Sequence, residues 1–187
     1  GDKFKVLYYG TYHPLQGIEY IIEAAKRLES YEDIEFELVG KGPEYNKILR
    51  LYNELKPRNI RFIDWIPYEE LPNEIANAHI CLGGHFSDIG KAKRVIAGKT
   101  FQFIAMKKPV IVGDNPANRE LFENGKNALM CEMASTDALA EAILELRNNE
   151  PLRAKIAEEG YKVFRNNCTP KLIGSQIKRV ITELVNK

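Results

Sequence analysis

Two rhythms of apolar residues alternate along the chain. Short, nearly continuous apolar runs occur at "FKVLYYG" (4–10), "IEFELVGKG" (34–42), "NIRFIDW" (59–65), "HICLGG" (79–84), "PVIVGD" (109–114) and "NALMCE" (127–132). Between the first two, Ile18, Ile21, Ile22, Ala25 and Leu28 recur at the spacing of one helix face. Pro43 is placed to open a second helix through about Leu55. "YEELPNEIANA" (68–78) reads as a short helix whose Pro72 fits the first turn. A further helix starts near Gly98-Lys99 and ends near Met106, with Phe101, Ile104 and Ala105 expected inward. Three helical patterns, 135–148, 151–165 and 171–186, finish the chain.

Strands that alternate with helices form a parallel sheet covered on both faces, and such strands must be apolar on both sides. The expected fold is α/β, a Rossmann-like doubly wound parallel sheet of about six strands. With no repeat, low-complexity tract or internal linker, residues 1–187 read as a single domain. The ligand of such a sheet lies beyond the carboxyl ends of the strands, where strand order reverses. Gly10, Gly40 and Gly84 each close a strand, so all three are expected at that edge.

Composition then narrows the chemistry. The 187 residues carry 27 basic and 26 acidic side chains, for a net charge of +1. That balance argues against nucleic acid as a partner, and any basic site must be local. One local site stands out. "GKAKRVIAGKTFQF" (90–103) places Lys91, Lys93, Arg94 and Lys99 within ten residues, just downstream of the "LGG" strand end. Lys99 falls in the first turn of its helix, where a cation opposes the dipole and an anion is favoured. Several cations converging on one place suit a phosphate better than a carboxylate. The plainer alternative is a solvated basic loop.

Other features exclude more than they suggest. Cys81, Cys131 and Cys168 have no metal-ligand spacing and read as small buried hydrophobes in a reducing compartment. His13, His79 and His85 form no zinc pattern, and His85 reads as an ordinary loop histidine. There is no GxGxxG after the first strand and no GxxxxGK[ST], so neither a nicotinamide fingerprint nor a P-loop is present. No apolar run approaches the length of a membrane span and no signal peptide is evident, which suits a cytoplasmic protein. Trp65, at a strand end, either packs locally or stacks on a base. Glu120, past the fifth strand, either caps a helix or faces a ligand.

Four pieces in order carry a resemblance: "YYGTYHPLQGIEYIIEAAKRL", "FELVGKGP", "NIRFIDWIPYEELPNEIANAHICLG" and "KRVIAGKTFQFIAMKKPVIVGDNPANRELFENGKNALM". Together they cover nearly the whole chain, which resembles the C-terminal half of a retaining glycosyltransferase of family 4 with the GT-B architecture. The resemblance implies a domain that binds a nucleotide diphosphate sugar and donates a hexose to a hydroxyl acceptor. That acceptor would be a sugar, a lipid-linked sugar or a polysaccharide, bound by an N-terminal half absent from this sequence. The final helix, about 171–186, would reach toward that half and leave an apolar face exposed. The full-length enzyme would work in the cytoplasm, at the inner face of the membrane where its acceptor is lipid-linked.

The same resemblance implies site roles. Gly10 and Thr11 approach the diphosphate, Trp65 and Ile66 lie at the base, and the start of the helix after the fourth strand receives the phosphates. The placement of the cations then points to Arg94 and Lys99, with Lys93 a weaker partner, around the phosphates beside Gly84, and to Gln102 at the ribose. No residue of this half is expected to be catalytic, and no metal or cofactor is expected, because no Asp-x-Asp motif is present. The chain departs from the family pattern in three ways. Thr11 and Gln16 stand where many members carry phosphate-facing cations, Arg94 and Gln102 stand at the usual paired glutamates, and Lys107 replaces a usual glycine. The local cations around "KAKRVIAGK" would compensate the first of these. Two rival readings share the fold: a nucleotide-sugar 2-epimerase half, and a Rossmann-like interaction module without catalysis.

Overall fold

A computed structural model of the chain describes residues 1–167, in which six strands form one sheet: β1 (Phe4–Tyr9), β2 (Ile34–Val39), β3 (Ile60–Ile63), β4 (Ile80–Gly84), β5 (Val110–Gly113) and β6 (Leu129–Cys131). Their order is β3-β2-β1-β4-β5-β6 and every pairing is parallel. The strands are one to three residues shorter than the apolar runs, because the runs continue into the turns that flank the strands. The helices are α1 (Ile18–Leu28), α2 (Tyr45–Leu55), α3 (Leu71–Asn77), α4 (Gly98–Ala105), α5 (Pro116–Arg119), α6 (Thr136–Asn148) and α7 (Glu150–Asn167).

Alternation along each strand divides the core between the two faces of the sheet. Val6, Tyr8, Phe36, Leu38, Ile80 and Leu82 meet α1, α2 and α6 on one side. Leu7, Val39, Cys81, Val110 and Val112 meet α3 and α4 on the other, with Val163 and Phe164 of α7 packed against them. α1 shows how the pattern becomes structure: Ile18, Ile21, Ile22, Ala25 and Leu28 are all buried, as their spacing requires. Each of the isoleucine and leucine side chains contributes about 1.5–3 kcal/mol on burial, enough together to hold a helix that would be marginal alone.

Several expectations change. In α4 the buried side chains are Lys99, Thr100, Phe103 and Ile104, while Phe101 and Ala105 are only half-buried. The helix is rotated because Phe103 packs edge-on against Tyr9 of β1, at 5.5 Å between ring centroids. α5 is absent from the sequence reading. It is one turn, opened by Pro116 and capped by Asn115, whose side chain accepts from the Asn118 N–H. Cys81 and Cys131 are buried and free as expected. Cys168 and the 171–186 helix lie outside the described residues. Among the described residues no helix is long and apolar enough to cross a membrane.

Candidate functional site

Strand order reverses between β1 and β4, so the loops after β1, β2 and β3 open beside the loop that leads from β4 to α4. Gly10, Gly40 and Gly84 therefore share the carboxyl edge, as expected. Beyond the strands the loops remain laced by backbone bonds: Gly10 N–H to Val39 O (3.0 Å), Gly40 N–H to Ile63 O (2.9 Å) and Tyr12 N–H to Lys41 O (3.0 Å). Gly40 has φ +131°, and a Cβ there would overlap the carbonyl oxygen of Gly10. Only glycine lets these two loops approach so closely.

Lys99 is the centre of the site. Its position as the second residue of α4 turns it under the β1 loop, and the residue is only 8% exposed. The amine donates to Gln16 Oε1 at 2.7 Å and lies 4.7 Å over the ring of Tyr8. A methyl group at Gly10 would sit 2.9 Å from Nζ. No carboxylate of the described residues forms an ion pair with it. Burial pulls its pKa down to about 7, because the charged form has lost water and gained only a neutral carbonyl and a ring face. The start of α4 has Ala97 as its N-cap and no side-chain cap bond, so its first N–H groups are also open to a ligand.

The other three cations are placed differently. Lys91, Lys93 and Arg94 are exposed on and beside a 3₁₀ turn, Gly90–Lys93. Buried Ala92 pins that turn: its carbonyl faces His85 Nδ1 at 3.5 Å and accepts from Asn115 Nδ2 at 3.4 Å. The sequence cluster is thus one buried lysine and three solvent-facing cations. His85 is not a surface loop residue but is buried, and burial, then the charge of Lys99, lower its pKa to about 4. Gly84 is buried at the end of β4, its carbonyl accepting from Asn118 Nδ2 at 3.2 Å.

A cleft of about 520 Å³ opens over the ends of β1, β2 and β3. Gly10, Thr11, Trp65 and Ile66 line it together, with Lys41 and Asp64 at its wall. Trp65 is 75% exposed and Tyr68 is 77% exposed, so the packed alternative for Trp65 fails and its ring is free for a planar ligand. These two side chains supply exposed apolar surface at the cleft. A smaller groove of about 220 Å³ continues past Tyr68 and Leu71 to Gln102, which is exposed on α4. Glu120 stands at the C-terminal end of α5 with its side chain exposed.

Three features escaped the sequence reading. The Gln16–Lys99 bond joins residues 83 apart, and neither local pattern announces the other. The ring of Tyr8 beneath the amine is a strand residue that reads as core. Lys41, Tyr45 and Asp64 form a cluster, with Lys41 Nζ 3.0 Å from Asp64 Oδ2 and the Tyr45 hydroxyl donating to Asp64 Oδ1 at 3.1 Å. A single charge at each of two neighbouring strand ends, in "VGKGP" and "FIDW", was the signal available for it.

A doubly wound parallel sheet with glycine turns at its switch point, and a buried lysine beside a helix start there, defines a class: a Rossmann-like α/β domain. Residues 1–163 match the family profile described as "Glycosyl transferases group 1", and the chain belongs to that family. It is 27% identical over 184 residues, 98% of its length, to the uncharacterized glycosyltransferase MJ1178 of Methanocaldococcus jannaschii, of which those residues span 49%. The chain spans about half the length of the curated relatives it matches.

Solved structures agree on the fold, that of the C-terminal domain of GT-B glycosyltransferases. The C-terminal domain of a glycosyl transferase group 1 family protein, LpcC, from Francisella tularensis matches with TM-score 0.75 and 22% identity, covering 90% of this chain and 88% of that one. Anabaena Alr3699/HepE, solved in complex with UDP-glucose, matches with TM-score 0.82 and 18% identity, covering 97% and 49%.

Proposed function

We propose that this chain is the donor-binding half of a retaining glycosyltransferase of family 4, which transfers a hexose from a nucleotide diphosphate sugar to a hydroxyl acceptor. The observation that carries the reading is Lys99. An amine that is buried, free of any carboxylate and held against Gly10 costs folding energy, and an anion would offset that cost. In this reading the donor diphosphate lies across Gly10 and Thr11 toward Lys99 and the open N–H groups of α4, with Gly84 behind them. Lys93 and Arg94 reach it from the exposed turn. Gln102 meets the ribose, and Trp65 and Ile66 the base.

The chemistry asked of this half is leaving-group stabilisation. As the glycosidic bond to the diphosphate breaks, negative charge grows on the departing oxygen, and Lys99 with the α4 dipole is already oriented toward it. Lys99 in that place substitutes for the loop cation that Thr11 and Gln16 do not provide, with Gln16 retained as the group that orients the new one. The acceptor comes from an N-terminal half, the chain alone turns over poorly, and no metal is needed for charge stabilisation. The full enzyme works in the cytoplasm.

Thermal-shift measurements with UDP-, GDP- and ADP-sugars test the reading. A ligand at a hundred times its Kd adds about 2.7 kcal/mol of stability, an easily seen rise in Tm. No shift with any of the three, together with no calorimetric binding of their nucleoside diphosphates, overturns it.

A further inference from the structure

The wall of the cleft beside Trp65 holds a donor and an acceptor of opposite charge fixed side by side. Lys41 Nζ lies 3.0 Å from Asp64 Oδ2, Tyr45 donates its hydroxyl to Asp64 Oδ1 at 3.1 Å, and Lys41 lies 4.9 Å over the ring of Tyr45. The three groups come from the turn after β2, the start of α2 and the end of β3, so they brace one another without help from a ligand. Each carboxylate oxygen keeps a second lone pair, and the ammonium keeps further protons. Both Lys41 and Asp64 line the cleft, next to the exposed Trp65 ring.

We propose that Lys41 and Asp64 read the edge of the nucleotide base and that the donor is a guanine nucleotide sugar; this rests on the donor-binding reading above. Guanine presents an acceptor, O6, followed by two neighbouring donors, N1–H and N2–H. A lysine beside a carboxylate complements that sequence at every place. Uracil presents an acceptor, one donor and a second acceptor, so one carboxylate oxygen would face a carbonyl oxygen. Adenine offers one donor and one acceptor and leaves the remaining lone pair of one carboxylate oxygen without a donor. Cytosine, with one amino donor followed by two acceptors, does the same. A base that donates to the remaining lone pair of each carboxylate oxygen gains, and one that covers such an oxygen without donating to it loses.

Calorimetric titration of the 187-residue chain with GDP, UDP and ADP, at one pH and one salt concentration, decides the matter. GDP is expected to bind about ten- to a hundredfold more tightly than UDP or ADP, the discrimination typical of a bidentate base contact. Asp64→Asn should bring the GDP-to-UDP ratio close to one, and Lys41→Met should weaken GDP more than UDP. If Lys41 and Asp64 merely tie two loops together, the variants lower Tm and leave the ratio where it was, and the inference fails. It fails also if UDP or ADP binds the unmodified chain as tightly as GDP, while the donor-binding reading stands. Binding of none of the three overturns both.

Discussion

Replacing Lys99 by methionine keeps the length of the side chain and removes its charge from a place that water does not reach. The lowering of the amine from its usual 10.5 to about 7 means that the folded chain holds this proton far less tightly than the unfolded chain does. At ~1.36 kcal/mol per pKa unit, with the folded-state amine half neutral at pH 7, the burial costs on the order of 4 kcal/mol at that pH. Methionine forfeits the Gln16 hydrogen bond and the Tyr8 ring contact, about 1–2 kcal/mol together. The variant should therefore be more stable than the parent by roughly 2–3 kcal/mol at pH 7, a rise of about 5–10 °C in Tm for a domain of this size.

The pH profile is the sharper signature. Because the unfolded chain binds the proton more tightly, parental stability rises with pH from the folded value near 7 to the unfolded one near 10.5. The cost of burial thus shrinks from about 4 kcal/mol at pH 7 to about 1.5 kcal/mol at pH 9.5. Groups common to both chains, such as Tyr9 and Cys131, which burial pushes up to about 12, cancel in the difference. Denaturant melts of both chains from pH 7 to 9.5 measure it. The same substitution should weaken nucleoside diphosphate binding ten- to a hundredfold, the usual loss for a charge-assisted phosphate contact. A stability difference that is flat across this range refutes the account of Lys99 as a buried, uncompensated cation. Unchanged nucleotide affinity refutes its role in binding.

Two further outcomes follow from the cleft. Gly40→Ala forces a Cβ into the Gly10 carbonyl at a positive φ, so chemical denaturation should show a loss of about 2–4 kcal/mol, with donor binding weakened as the two loops part. Trp65→Ala should lower nucleoside diphosphate affinity by about 1–3 kcal/mol, the worth of a base on an aromatic face, as read by calorimetry. Its Tm should barely move, because a side chain 75% exposed supports little of the core; a large drop in Tm with unchanged affinity would reverse that assignment.

The periodicity of the chain determined the elements, their alternation and hence the doubly wound class, because burial on one or two faces writes a local pattern that any window of residues displays. Glycines after apolar runs likewise marked the binding edge, since β1, β2 and β4 all run the same way. What pattern could not supply was rotation and reach. The inward face of α4 was misjudged because Lys99 looks polar, yet its amine lies over the Tyr8 ring and against Gly10, and only the packing of Phe103 against Tyr9 decides that. Four cations close in sequence read as one cluster around an anion, until the fold buried Lys99 beside Gln16 and left the other three on or beside a turn pinned by Ala92. His85 on a glycine-rich loop read as an ordinary loop histidine yet is buried, and Trp65 read as packed or stacked yet is exposed. In each case the deciding interaction joins residues far apart in the chain, and such contacts exist only once the sheet has brought its loops to one edge.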